Sequence, residues 1–209
     1  MSNFNFGLKF IKSSSLYNFM REQKLYDKYF SGRHWGEHGT SHAEFFAEFL
    51  KKQNFEGLLV DIGCGRGRDV NLFNKSNFNV LGIDFSKDEI ALAKKTYPNS
   101  NFEMQNAEKL NFENNSISAF FMINVIHYLD KTKAINEIFR TLKSKGYFFI
   151  HFNLSIIDKE GNEDYHHSEE EVLKLVSKFK ILHKKILKRV DHKPIEHTHK
   201  IIELILQKP

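Results

Sequence analysis

"LLVDIGCGRGRDVNLF", residues 58–73, is an apolar run that stops at a glycine-dense turn and resumes with helical character. A strand that feeds a tight glycine turn and then a helix N-terminus leaves backbone N–H groups facing a pocket where a polar ligand packs closely. The spacing excludes two common uses of such a turn. A dinucleotide fingerprint, G-x-G-x-x-G/A, counted from Gly63 requires a small residue at position 68, and Arg68 stands there. A phosphate-cradling P-loop ends in Gly-Lys-Ser/Thr, and no such triplet follows. The glycines are instead Gly63, Gly65 and Gly67, with Asp61 two residues ahead of the first.

Downstream, strand-like and helical patterns alternate. "NVLGIDF" (79–85) reads as a strand, and "SKDEIALAKKTY" (86–97) as a helix that opens on a capping box of Ser86 and Glu89 and stops before Pro98. "SNFEMQN" (100–106) and "SISAFFMINV" (116–125) read as strands, "KTKAINEIFRTLKSKG" (131–146) as a helix closed by Gly146, and "YFFIHFNL" (147–154) as a further strand. Such alternation predicts a doubly wound, mostly parallel α/β sheet of Rossmann-like type. After a Ser168-capped helix (168–179), the strand-like runs 180–189 and 197–207 are joined by only a short turn around Pro194. A parallel crossover needs a dozen residues or more, so these two must pair antiparallel. The expected sheet has seven strands and closes with a C-terminal hairpin.

Residues 13–30 and 40–53 read as two amphipathic helices joined by "SGRHWGEHG" (31–39), which predicts an N-terminal helical cap (1–54) over the sheet's carboxyl edge, ahead of the main domain (55–209). The 209 residues fit one compact unit, and 41% hydrophobic with 27% charged residues excludes a disordered or fibrous chain. The single Cys64 excludes an internal disulfide framework. With no secretory leader and no apolar run of membrane-spanning length, a cytoplasmic monomer or homodimer without membrane contact is expected. The net charge of +5 permits an acidic partner, but the lysines are spread along the chain and concentrate only in 178–189, where a solvated strand or helix face accounts for them; nucleic acid is not the expected partner.

Taken in order, "VDIGCGRGRDV" (60–70), "VLGIDFS" (80–86), "MQNAEKLNF" (104–112) and "MINVIHYL" (122–129) resemble the successive motifs of class I S-adenosylmethionine-dependent methyltransferases, small-molecule enzymes of the thiopurine and tellurite-resistance type among them. The resemblance covers about residues 55–154 and implies S-adenosylmethionine as cofactor. It places Asp61, Gly63, Cys64, Gly65 and Gly67 along the methionine and ribose portions, Asp84 on the ribose hydroxyls with Phe85 beside it, and Asn106 and Ala107 at the adenine, with Asn124 closing the site. The family usually has Asp at the position of Asn106; the amide oxygen retains the ability to accept from the adenine amino group.

A sulfonium is already an activated leaving group, so methyl transfer needs chiefly an aligned acceptor and the exclusion of water. A base is required only for an acceptor that must lose a proton. The family's acceptor-specific positions correspond here to Asn124, His127, Tyr128, His151 and Asn153, with Arg33, His34 and Trp35 from the cap. For His127 two readings stand, a base near the transferred methyl or a residue packed beneath the site; for His151, a base or a core histidine. Trp35 reads as part of a lid or as packing. His197 and His199 share a strand face and His192 could return across the turn, giving substrate-lining, structural and metal-binding readings; the expectation adopted is an imidazole-rich wall and no metal. "NVIH" departs from the Asn/Asp-Pro-Pro-aromatic pattern of nucleic-acid amino-methyltransferases, which favours a small S, N or O acceptor. The alternatives are an RNA or protein methyltransferase that uses the basic surface, and a cofactor-binding regulatory protein without catalysis.

Overall fold

The computed structural model describes residues 38–192 and 195–209. Helix α1 (Ser41–Lys52) precedes β1 (Leu58–Ile62), α2 (Arg68–Lys75), β2 (Asn79–Asp84), α3 (Lys87–Thr96), β3 (Asn101–Met104) and β4 (Ile117–Ile123). A single 3-10 turn (Ile126–Tyr128) leads to α4 (Lys131–Thr141), β5 (Leu142–Asp158), the two-residue β6 (Glu163–Asp164), α5 (Glu169–Leu175) and the hairpin β7 (Lys180–Asp191) and β8 (His197–Gln207). The main sheet runs β3-β2-β1-β4-β5-β8-β7, with β6 paired to the end of β5. Strands β1 to β5 are mutually parallel, and β8 is antiparallel to both of its neighbours. The expected seven-stranded path is therefore present; β6 is an addition too short to leave a periodic signal.

Alternation along each strand sends side chains to two cores. Val60, Ile62, Phe120, Met122, Phe148 and Ile150 face one side, covered by Ala134, Ile135 and Ile138 of α4 and Val172 of α5. Leu59, Val80, Phe121, Phe149 and Ile205 face the other, covered by α1, α2 and α3. Helix α1 presents Ala43, Phe46, Ala47 and Leu50 to that core. This second of the two expected cap helices thus lies across a sheet face, where its apolar stripe finds the aromatic rings of Phe121 and Phe149, and not over the carboxyl edge. The first, residues 13–30, lies outside the described residues.

Thr40 starts α1: its hydroxyl accepts from the Ala43 N–H at 3.1 Å, while its own N–H donates to Asp69 Oδ1 at 2.6 Å. One residue thereby caps α1 and ties it to the first turn of α2. Thr40→Ala is expected to lower stability by about 1–2 kcal/mol in urea unfolding; a change within about 0.3 kcal/mol would show the cap to be energetically idle.

Two boundaries differ from the sequence reading. Helix α4 ends at Thr141, not at Gly146, because Leu142 already pairs with Ile117 as strand. The polar stretch to Lys145, with φ of 65° at that residue, forms an irregular entry into β5 that the helical spacing of 131–146 had concealed. Strand β5 also continues past residue 154 to Asp158, paired throughout with β8. The hairpin and β5 together extend the sheet beyond the parallel strands' carboxyl ends.

Candidate active site

The glycine turn connects β1 to α2. Gly63 and Cys64 donate backbone N–H bonds to the Ile83 carbonyl at 2.8 and 3.0 Å, which fixes the turn against β2. Gly63 has φ of 71°, and a Cβ there would collide with Val125. Gly65 has φ of 51°, and among the described residues a Cβ on it would meet only Glu89 Oε2, at 3.9 Å. That side leaves room for a ligand to approach the backbone. The Gly65 N–H donates to Asp84 Oδ2 at 2.9 Å, and the Ser86 N–H donates to Oδ1 at 2.8 Å. These two bonds hold the Asp84 carboxylate at the end of β2 and leave lone pairs for the hydroxyls of a sugar. Ser86 then caps α3 by accepting from the Glu89 N–H.

Charge at the turn suits a cation. Asp61 is buried, and its carboxyl is raised well above the usual range first by that burial and then by Asp69 and Asp84. A ligand carrying ammonium and sulfonium charges would relieve this repulsion, and S-adenosylmethionine carries both. Burial also raises the Cys64 thiol, with Asp61 and Asp84 adding to the shift, so this side chain is an inert wall and not a nucleophile. Phe85 and Met104 are 73% and 60% exposed at the ends of β2 and β3, where Asp84 and Met104 are partners in register. They offer an apolar surface of the kind a purine ring covers. Asn106 differs in part from its expected role: its Oδ1 accepts from the Glu108 N–H at 2.8 Å, so only one lone pair remains for an adenine amino group. Ala107 follows it, buried.

Asn124 ends β4 in the left-handed region, φ 58°, which asparagine tolerates, and its Oδ1 lies 3.5 Å from Asn153 Nδ2 of β5. Tyr128 is half-buried at the end of the 3-10 turn. Arg33, His34 and Trp35 lie outside the described residues.

The histidines gather around Asn153, but in separate settings. His127 is buried against Phe152 and Tyr165, and its Nε2 accepts from the Asn153 N–H at 3.0 Å. That bond occupies the lone pair a base needs, and burial with Lys131 and His167 nearby holds the ring neutral, so the packing reading of His127 prevails. His151 has Nδ1 3.3 Å from Glu203 Oε1, and Glu203 also meets His42 Nδ1 at 2.6 Å. With Nδ1–H directed at the carboxylate, the His151 Nε2 lone pair has no hydrogen-bond partner among the described residues. His151 thus keeps at Nε2 a lone pair able to accept a proton. His197 and His199 flank Asp191, while His192 is exposed and paired with Glu196 at 2.9 Å, so the third imidazole expected across the turn is replaced by a carboxylate.

Sequence reasoning missed Glu203, Asp191 and His42. The first two had a signal. Glu203 shares the strand alternation of His197 and His199, and the hairpin register sets Asp191 directly opposite His197. His42 had none, because nothing local tells which face α1 covers.

Burial pushes the His151 imidazole down to about 4, the bond to Glu203 only partly offsetting it. Glu203 is raised by burial, but the His151 and His42 imidazoles outweigh that and hold it below the ordinary carboxylate range. Both shifts are downward, so between the folded and unfolded values the unfolded chain binds more protons. Stability is full above the ordinary histidine value of 6.5 and is lost as pH falls from there toward 4, with Glu203 adding to the loss below 4.5. His151 alone should contribute on the order of 3 kcal/mol to that decline by pH 4. Thermal unfolding between pH 7.5 and 4.5 checks this; a flat profile would contradict the buried neutral state.

Residues 60–150 match the family described as methyltransferase domain. Over 137 residues the chain is 32% identical to an uncharacterized protein of Methanocaldococcus jannaschii, covering 66% of this chain and 52% of that protein. Over 93 residues it is 26% identical to a probable S-adenosylmethionine-dependent methyltransferase of Mycolicibacterium smegmatis, 44% of this chain and 36% of the relative. The chain thus spans about half, or less, of these relatives' length. A crystal structure of a SAM-dependent methyltransferase from Methanosarcina mazei shares the fold, with a TM-score of 0.62 at 20% identity over 76% of this chain and 96% of that one. No described helix is long and apolar enough to cross a membrane. Residues 60–150 thus match a methyltransferase domain, and the glycine turn, the Asp84 carboxylate and the sheet order agree with the fold of the S-adenosylmethionine-dependent methyltransferases that it resembles.

Proposed function

We propose that this chain binds S-adenosylmethionine over Gly63–Gly67, with its ribose on Asp84 and its adenine between Phe85 and Asn106, and transfers the methyl group to a small-molecule S, N or O acceptor. The observation that carries the reading is the Asp84 carboxylate, oriented by the Gly65 and Ser86 amides beside the open face of Gly65. When bound, the cofactor supplies a methyl group on a positively charged sulfur. The chain's own residues must align the acceptor and keep water away. Asn124, just past the end of β4, is held by the buried Asn153 of β5 and is placed to contact a polar acceptor. His151, neutral down to about pH 4, takes the proton at Nε2 from an acceptor that must lose one.

A small acceptor is favoured by the connections: among the described residues β4 passes to α4 through one 3-10 turn, and β5 passes to α5 through ten residues, 159–168, that include β6. Neither holds an insert large enough to grip a macromolecule. The exposed lysines of β7, Lys184, Lys185 and Lys188, lie on the sheet's edge strand, where charge guards against edge-to-edge pairing.

Calorimetric titration with S-adenosylmethionine, followed by mass-shift screening against thiol, amine and phenol panels, tests the proposal. One acceptor that gains 14 Da with salt-independent affinity is expected; turnover confined to RNA, with affinity falling steeply in salt, would refute the small-acceptor reading. His151→Ala should lower turnover about a hundredfold for a protonated acceptor while leaving cofactor affinity nearly unchanged. Equal activity of that variant would remove His151 from the chemistry.

A further inference from the structure

The extension of β5, β7 and β8 beyond the parallel strands carries a side-chain cluster that methyl transfer does not use. In register, Asp191 stands opposite His197 and Arg189 opposite His199. One oxygen and two imidazole nitrogens converge: His199 Nε2 lies 3.0 Å and His197 Nε2 3.8 Å from Asp191 Oδ2, and the three candidate ligand atoms all lie within 4.8 Å of one another. Both imidazoles are fully buried.

We propose that Asp191, His197 and His199 bind one divalent transition-metal ion, zinc(II) foremost, with at least one coordination position left to water or a ligand. The tautomers carry the argument. His197 Nδ1 lies 2.6 Å from the Ile195 carbonyl, which can only accept, so the proton sits on Nδ1 and the Nε2 lone pair faces the carboxylate. His199 Nδ1 lies 3.0 Å from Asn153 Oδ1, which directs its Nε2 the same way. Each imidazole is thus oriented through its far nitrogen by an oxygen acceptor, the outer-shell arrangement that fixes metal-binding histidines. Two imidazole nitrogens and a carboxylate oxygen directed at one point form a donor set that a divalent cation can occupy. In a tetrahedral site with bonds of about 2.0–2.1 Å the ligand atoms stand about 3.3 Å apart, and the separations of 3.0 and 3.8 Å bracket that value.

The donor set selects the metal. Two imidazoles and one carboxylate suit zinc and iron with open positions, whereas magnesium and calcium prefer all-oxygen shells. Arg189 Nη2 donates to the same Asp191 Oδ2 at 3.0 Å and fixes the carboxylate's rotamer. The second imidazole–carboxylate group, His42, His151 and Glu203, is the competing location. Its imidazoles already share one carboxylate oxygen through Nδ1, and among the described residues no acceptor meets His151 at Nε2. Metal binding here is independent of methyl transfer, because the site is defined by its ligands alone.

The test uses the untagged full chain, stripped with a chelator and titrated calorimetrically with zinc(II) at pH 7.5, with cobalt(II) as a spectroscopic probe. Expected are one ion per chain, visible cobalt bands of low coordination number and a raised unfolding temperature in excess metal. Asp191→Asn keeps shape and volume and should weaken zinc binding at least tenfold, His197→Ala and His199→Ala should each weaken it further, and Asn153→Ala about tenfold through the outer shell. His192→Ala and His42→Ala should leave zinc affinity unchanged. Near-ultraviolet circular dichroism of each variant establishes that it is folded, and Asp191→Asn serves where a histidine variant is not. The proposal is overturned if the chain binds no zinc, if folded Asp191→Asn binds it as tightly as the parent, or if His42→Ala is the variant that loses it.

Discussion

Replacing Asp84 with alanine is expected to weaken S-adenosylmethionine binding by at least about a hundredfold. The carboxylate contributes twice. Toward the ligand it offers acceptors for two ribose hydroxyls, and each charge-assisted hydrogen bond contributes about 1.5–3 kcal/mol, so the pair corresponds to a factor of roughly 10² to 10⁴. Toward the protein it accepts from Gly65 and Ser86, so alanine frees the glycine turn as well as removing the ribose acceptors. Asp84→Asn separates these contributions. It keeps one acceptor oxygen and the side-chain shape, and should lose less affinity than alanine. Calorimetry on both variants decides, and unchanged affinity in Asp84→Ala would remove this residue from the ribose site.

Phe121→Ala is expected to cost about 3–5 kcal/mol of folding stability, the largest loss from any single aromatic truncation on this sheet face. Phe121 is fully buried near the middle of β4. Its ring stacks on Phe149 at 5.1 Å and on Phe46 at 5.9 Å and meets Phe73 edge-on at 5.2 Å. Each neighbour belongs to a different element, so the cavity left by alanine would border β5, α1 and α2 at once, and no single side chain can collapse into it. At about 2–4 °C per kcal/mol for a chain of this size, the unfolding midpoint should fall by roughly 10 °C. A loss below about 1 kcal/mol would mean that the surrounding rings repack freely.

How much of this was legible in the sequence follows from the range over which each signal acts. The strand, glycine turn and helix at residues 58–75 are local, and the turn residues and caps identify them without tertiary information. The hairpin was legible because a connection as short as 192–196 leaves one geometry. The end of α4 was not, since Leu142–Gly146 satisfies helical spacing until Ile117 offers a strand partner. The amphipathic stripe of α1 identified which side chains are buried but not what they are buried against. In the site, Gly63, Gly65 and Asp84 were legible because each sits at a strand end that the sequence itself marks. His127 was ambiguous for a physical reason: its role turns on whether its Nε2 lone pair is free, and the group that occupies it is a backbone amide 26 positions away. Asp191 and Glu203 required a register, and the sequence supplies one only once the turn between the two strands is counted from both sides.

The position of β8 bears on how the molecule assembles. This strand is the last of the described elements in chain order, yet it lies inside the sheet, with β5 along one edge and β7 along the other. Its ladder to β7 closes across a few residues, whereas its ladder to β5 joins segments some fifty positions apart. The hairpin can therefore zip on its own and dock as a unit, and the slow step is its insertion beside β5, which carries the larger loop-closure entropy. In a pulse-labelling experiment the amides of β1 and β4 should gain protection before those of β5 that face β8. At equilibrium, β8 amides directed to either neighbour should exchange among the slowest in the protein. Asp191, His197 and His199 all belong to that hairpin, so the proposed ligands of the metal ion would come together when it zips, and docking beside β5 would add only the Asn153 acceptor behind His199.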